Sequence, residues 1–289
     1  MSRPPILTLP ACARAYRLKT ERGAFAVCDA RPPSAEPRAT ALLVPGFTGS
    51  KEDFNALLEP LARAGFRVVA VDGRGQYESE GPADEAAYGQ DELAADVHAQ
   101  AAALGDGPVH LLGHSLGGLI TRAAVLRDAA PFRSLTIMSS GPAAVSAEQQ
   151  ARTKLLIDAL STRDMESVWQ AMRAMDPENP ADVPDAATTS AALDEFLHRR
   201  WLDTEAAQLI GTGRQLLGEP DRVAELAAVA LPKHVVSGAV DYAWPVPLMD
   251  AMAERLSAHR TVIEGAEHSP NAERPEETAA ALAAFWSRH

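Results

Sequence analysis

Four short apolar runs, "TALLVPG" (residues 40–46), "FRVVAVDG" (66–73), "PVHLLG" (108–113) and "SLTIMSSG" (134–141), punctuate the first half of the chain. Each is apolar on consecutive residues, not on every second one, so each strand is expected to be buried on both faces. Between them the apolar residues fall at helical spacing: Phe54, Leu57, Leu58 and Leu61 in 52–64, then Leu93, Val97 and Leu104 in 90–104. Strands buried on both sides with helices between them imply an α/β fold, a mostly parallel central sheet with helices on both faces. Residues 15–20 and 23–30 read as a hairpin ahead of that sheet.

The rhythm breaks after Pro142. From there to about Pro220 the spacing is almost wholly helical, until "LPKHVVSG" (231–238), a helix over 246–256, "RTVIEG" (260–265) and a helix over 273–286 restore it. The expected organisation is one α/β core, residues 1–142 and 221–289, split by an inserted helical cap, 143–220. In the insert Met165, Val168, Trp169, Met172 and Met175 form one apolar stripe, with Asp164 as its N-cap. Leu193, Phe196, Leu197 and Trp201 form another, and the prolines of "DPENPADVPD" (176–185) place a loop between the two. Helix packing alone accounts for such stripes. Met-rich surfaces also suit adaptable pockets, and Trp169, Met172, Phe196 and Trp201 are the expected substrate contacts.

"GHSLGG" (113–118) lies where the third strand gives way to a helix over 116–127. A strand that turns directly into a helix forces its corner residue, Ser115, into a strained conformation. Gly113 and Gly117 remove the side chains that would collide there. The hydroxyl then projects from the C-terminal edge of the sheet, with unpaired N–H groups of the helix start behind it. G-x-S-x-G alone is a weak signal, so the rest of the chain must supply a base and an acid. His268, in "EGAEHSPNAERPEE", follows the last strand and so reaches the same edge; Asp241, in "SGAVDYAWP", follows the strand before it. In that arrangement Ser115 is the nucleophile, His268 the base and then acid, and Asp241 the group that holds the imidazole tautomer. His114 and His110 adjoin the elbow but cannot easily turn back to Ser115. The oxyanion donors are expected to be the N–H groups of Leu116 and of Phe47, the latter in "PGFTGS" (45–50).

Composition limits the partners. The 289 residues are 46% hydrophobic and 23% charged, ordinary for a soluble globular chain, and the net charge of −12 disfavours nucleic acid or an anionic membrane surface. A small-molecule substrate is expected instead, with no metal and no cofactor. Cys12 and Cys28 form no CxxC and read as free thiols in a reducing, cytoplasmic setting. The apolar run 6–9 stops at Pro10, too short for the ~7–15-residue core of a signal peptide. No charge-free apolar stretch approaches the ~18 residues of a membrane span. With no basic cluster near the proposed edge, and Arg199-Arg200 on a helix able to turn them to solvent, an apolar substrate is expected over an anionic one.

These residues together resemble the α/β-hydrolase superfamily of the kind with a helical cap, over nearly the whole length. "GHSLGG" looks like its nucleophile elbow, "GAVDYAWP" (238–245) its acid loop and "GAEHSPNAERPEE" (265–277) its histidine loop, in the family's order Ser, Asp, His. The chain departs from two common family strings. Pro45-Gly46 stands where His-Gly is frequent, and "DGRGQYES" (72–79) has Gln76-Tyr77 in place of His-Gly. The resemblance implies a carboxylesterase-like serine hydrolase that cleaves an ester-type bond of a small or medium apolar molecule through an acyl-enzyme. A serine at the elbow speaks against haloalkane dehalogenases and epoxide hydrolases. Other uses of the same triad stay open: C–C hydrolysis, lyase, perhydrolase or haloperoxidase chemistry, carrier-thioester cleavage, and a non-catalytic receptor on the same fold.

Overall fold

A computed structural model describes residues 2–33, 36–175 and 184–289. The chain opens with the antiparallel hairpin β1 (Ala13–Thr20) and β2 (Gly23–Ala30), followed by β3 (Thr40–Val44) and α1 (Asn55–Arg63). Next come β4 (Arg67–Val71), α2 (Gln90–Leu104), β5 (Val109–His114), α3 (Leu116–Arg127) and β6 (Phe132–Met138). Four helices follow: α4 (Ala147–Leu160), α5 (Met165–Met175), α6 (Pro184–Asp203) and α7 (Ala206–Gly218). The chain ends with α8 (Val223–Ala227), β7 (Lys233–Gly238), α9 (Val246–Leu256), β8 (His259–Ile263), α10 (Pro270–Glu273) and α11 (Pro275–Trp286). The eight strands form one sheet in the order β1-β2-β4-β3-β5-β6-β7-β8, with β2 antiparallel to both its neighbours, β1 and β4, and every other pair parallel.

Alternate residues of each central strand feed two separate cores. Leu43, Val68, Leu112 and Val236 pack under α1 and α11, with Leu57, Leu61, Leu282 and Phe285. Leu42, Val69, Leu111 and Val235 pack on the other face with Val97, Leu119 and Met252 of α2, α3 and α9. Leu43 is in register with Ala70 on one side and Leu112 on the other, so each row runs unbroken across three strands. Burial of each such Leu or Val contributes about 1.5–3 kcal/mol, which explains why these runs carry no polar alternation. The strand order reverses between β3 and β5. A crevice at such a point, beyond the carboxyl ends of the strands, is where open α/β sheets bind ligands.

Two helices start or break differently from the sequence expectation. The segment 52–64 begins as a 3-10 turn, Lys51–Phe54, and becomes α-helical only at Asn55. The last helix is interrupted at Arg274 (φ −142°, ψ 65°), because Pro275 disfavours a helical residue before it. Of the loop expected over 176–185, residues 176–183 lie outside the described residues, while Pro184 and Asp185 already belong to α6.

The α4–α7 block has its own core of Ile157, Leu160, Val168, Trp169, Phe196, Leu197, Trp201, Leu209 and Ile210, closed on the sheet side by Tyr77. One buried side chain ties both of its junctions. Arg122 on α3 donates to the carbonyl of Pro142 (2.8 Å), where the block leaves the sheet, and to Glu219 (2.6 Å), where it returns. Among the described residues no helix is long and apolar enough to cross a membrane.

Candidate active site

Ser115 sits between β5 and α3 with φ 54° and ψ −119°, a left-handed conformation costly for a residue with a Cβ. Hydrogen bonds on both sides of its backbone hold it there. Its N–H is held by Met138 O (2.9 Å) and its carbonyl by the Gly118 N–H (2.9 Å). A Cβ on Gly113 would stand 2.2 Å from Gly117 O, and one on Gly117 would stand 2.3 Å from Val44 O. The two glycines therefore let β5, α3 and the end of β3 converge on the corner.

The loop after β8 brings His268 to this corner. Its Nε2 lies 3.1 Å from Ser115 Oγ and its Nδ1 lies 2.9 Å from Asp241 Oδ2. A carboxylate only accepts, so Nδ1 donates to Asp241; in the neutral ring that leaves Nε2 to accept from the Ser115 hydroxyl. Asp241, in the loop after β7, is held by the N–H groups of Ala243 (2.8 Å) and Trp244 (3.0 Å) on its other oxygen. Ser115, Asp241 and His268 are each only 8% exposed. Tyr242 lays its ring 4.7 Å from the His268 ring.

The other candidate histidines do different work. His114 Nε2 donates to the His268 carbonyl (2.8 Å), and burial beside His268 pushes His114 down to about 4, so it is neutral. His110 bonds Ser134 Oγ (2.7 Å) and stacks on Trp286.

The Leu116 N–H opens α3, and the Phe47 N–H lies in the loop leaving β3. Among the described residues neither is given to another acceptor. Gly46 faces the elbow closely; a Cβ there would be 3.0 Å from Ser115 Cβ. Gln76 fixes this loop. Its amide donates to Gly46 O (3.1 Å) while its oxygen accepts from the Gly73 N–H (2.9 Å). In sequence Gln76 is only a departure from a family string, yet that departure supplies the contact. Its neighbour Tyr77 (φ 42°) meets the helical block, edge to face with Phe196 at 5.7 Å.

A cavity of about 450 Å³ opens over Ser115, within the range of small-molecule sites. Ser115, His268 and Phe47 line it, with Gln149 and Thr153 of α4 and Leu216 of α7. The expected pocket residues do not. Trp169, Phe196 and Trp201 are 7%, 5% and 2% exposed within the core of the helical block, and Met172 packs against them. The reason is geometric: they sit on α5 and α6, which pack together, whereas α4 and α7 face the cavity. Trp201 spends its indole N–H on Met165 O (2.7 Å), and Met175 is 76% exposed. Arg200, expected at the surface, is buried and paired with Asp53 (2.9 Å). The cavity wall is consequently half polar, and it includes Ser2 and Arg3, which sequence spacing gave no reason to place here. Among the described residues no three His, Cys, Asp or Glu side chains converge as metal ligands.

Comparison with known proteins bears on this arrangement. The sequence profile of the alpha/beta hydrolase fold family matches residues 42–200. A putative carbamate hydrolase, RutD, of Variovorax paradoxus is 36% identical over 124 residues, 42% of this chain and 46% of that protein. An N-formylmaleamate deformylase of Pseudomonas putida is 37% identical over 105 residues, 35% of this chain and 38% of that protein. The matched stretches thus span less than half of either relative. A hydrolase structure from Pseudomonas aeruginosa superposes with a TM-score of 0.73 at 23% identity, over 94% of this chain and 98% of the other. An esterase from Exiguobacterium antarcticum gives 0.75 at 19%, over 95% and 100%. At such identities the likeness is one of fold. The profile match covers more than half of the chain, including β5, the elbow and the start of the helical block, and on that ground the chain belongs to the alpha/beta hydrolase fold family.

Proposed function

We infer that this protein is a serine hydrolase that cleaves an ester-type bond (a carboxylic ester, lactone or thioester) of a small or medium molecule through an acyl-enzyme on Ser115. The observation that carries the reading is the continuous relay from Ser115 Oγ through His268 to Asp241, at 3.1 and 2.9 Å. Ser115 attacks the carbonyl carbon as its proton passes to His268 Nε2. Asp241 stays ionised and stabilises the imidazolium. The N–H groups of Phe47 and Leu116 receive the oxyanion. Collapse expels the leaving group, protonated by His268, and a water deprotonated by the same ring then releases the acid and regenerates Ser115. Every step is supplied by protein groups, so the reading invokes no metal or cofactor. The α4–α7 block acts as the cap, with α4 and α7 forming the wall nearest the site. The free thiols of Cys12 and Cys28 fit a reducing, cytoplasmic setting.

A second reading, hydrolysis of a carbamate or formyl group by the same residues, is favoured by the names of the two curated relatives. Both readings require one activated serine. A fluorophosphonate is expected to add a single label, at Ser115, and Ser115→Ala to abolish both labelling and ester turnover. Labelling that persists in Ser115→Ala would overturn the assignment. A parallel screen of esters, thioesters, carbamates and formamides separates the two readings.

A further inference from the structure

We propose that Arg3 makes this cavity a site for substrates bearing a carboxylate remote from the scissile bond. The inference rests on the hydrolase reading above and names the substrate class for the same site.

Among the described residues lining the cavity that Ser115 and His268 share, Arg3 is the only Lys or Arg. Its position is built. The preceding residue, Ser2, gives its carbonyl to the buried Arg200 guanidinium (2.6 Å), which is itself fixed by Asp53 (2.9 Å). Three residues further on, the carbonyls of Ile6 and Leu7 are both held by the Asn55 amide (3.3 Å each). Pro4 between these anchors is buried and restricts the backbone further. Arg3 is thus presented to the cavity by a strap pinned at both ends from α1 and α6.

Its charge is available. The ion-pair partner of Arg3 among the described residues is Asp194, at 3.6 Å, beyond good hydrogen-bond distance, and the side chain is 45% exposed. Asp194 is also engaged at its other oxygen by Arg173 (3.1 Å), so two guanidinium groups share one carboxylate and Arg3 does not have it to itself. Glu273, the carboxylate lining the cavity among the described residues, keeps its charge but turns both oxygens to the N–H groups of Glu267 and Ser269, and Arg3 pairs with Asp194 instead. A planar guanidinium with free N–H groups binds a carboxylate in a two-point fork, a stronger contact than a neutral hydrogen bond. This reverses the expectation, drawn from net charge, that an anionic substrate finds no partner here.

The test uses nitrophenyl half-esters of four- to eight-carbon dicarboxylic acids beside their methyl-capped counterparts, which differ in whether the remote carboxyl is charged. For at least one chain length, kcat/KM of the free half-ester is expected to exceed that of the capped ester by about tenfold or more. Arg3→Gln is expected to bring that ratio to about one, Arg3→Lys to keep part of it, and Arg3→Glu to invert it. A ratio at or below one at every length, while the capped esters turn over and Ser115 takes the fluorophosphonate, overturns the inference and leaves the hydrolase reading standing. A preference that survives Arg3→Gln overturns it as well, because another group then reads the charge. Absence of both turnover and labelling removes the hydrolase reading itself.

Discussion

A hydroxyl becomes a useful nucleophile when three things are held at once: its base, the tautomer of that base, and the donors for the oxyanion. Under the proposed reading each is held in this chain by a different residue contact, and each can be removed separately. Asp241→Asn keeps the hydrogen bonds from Ala243 and Trp244 within reach but presents an amide to His268 Nδ1, favouring the tautomer with a proton on Nε2. Turnover of a model ester is expected to fall on the order of 10⁴-fold in kcat, as in other triads, with circular dichroism unchanged. Near wild-type kcat would place the orienting acid elsewhere. Gln76 acts one step removed, through Gly46 O. Removing an oxyanion donor outright costs about 10²–10³ in kcat, so loosening the Phe47 loop with Gln76→Ala is expected to cost about tenfold, with KM little changed. Gln76→His, which restores a donor, is expected to recover part of it. A change in KM alone would show Gln76 shaping the cavity instead. The convergence of Ser115, Asp241 and His268 was legible because each follows an apolar strand, and strand ends in a parallel sheet share one edge. Gln76 and Arg3 were not, because their roles depend on contacts across the fold, Gln76 to the loop after β3 and Arg3 through Arg200 of α6, that leave no local spacing.

At the scale of elements, the helical block is attached as much as it is folded. Its own core of Trp169, Phe196, Trp201 and their neighbours holds α5, α6 and the ends of α4 and α7 together, while Arg122 locks both junctions to α3. The Arg122–Glu219 pair is buried on both sides, and Glu219 also accepts from Gln90 (2.7 Å). Glu219→Ala leaves a buried guanidinium without its counter-charge, expected to cost about 3–5 kcal/mol of unfolding free energy, read from denaturant unfolding of the wall-forming block or of the whole chain. Arg122→Met with Glu219→Leu, which removes both charges, should cost markedly less. Equal losses in the two variants would show that the pair contributes packing and not charge balance. Sequence spacing located helices of the core well: α9 spans the expected 246–256 and α3 the expected 116–127. It could not say which helix of the block faces the cavity. An amphipathic stripe reports that a face is buried, not what covers it, and Trp169 and Phe196 face other helices just as such a stripe permits.

For the whole molecule, the acidic net charge of −12 conceals a set of buried neutral histidines. Burial pushes His110 and His114 down to about 4, and His234 to about 3, from an ordinary value of 6.5. All three lie in the parallel strands β5 and β7, and none is more than 2% exposed. Because the folded pKa is the lower one, the unfolded chain takes up protons that the folded chain refuses. The stability these rings permit is therefore complete above about pH 6.5 and is lost as pH falls toward 4. Near pH 5 each ring adds about one proton to the uptake on unfolding, equivalent to about 1.4 kcal/mol per pH unit. Urea unfolding followed from pH 7 to pH 4.5 should show that slope. In His110→Gln, which can keep the contact to Ser134, the proton uptake near pH 5 is expected to drop by about one, whatever the variant's absolute stability. An unchanged slope would mean that His110 is protonated in the folded state, and the Phe66 and Trp286 rings around it would then have to be holding a cation.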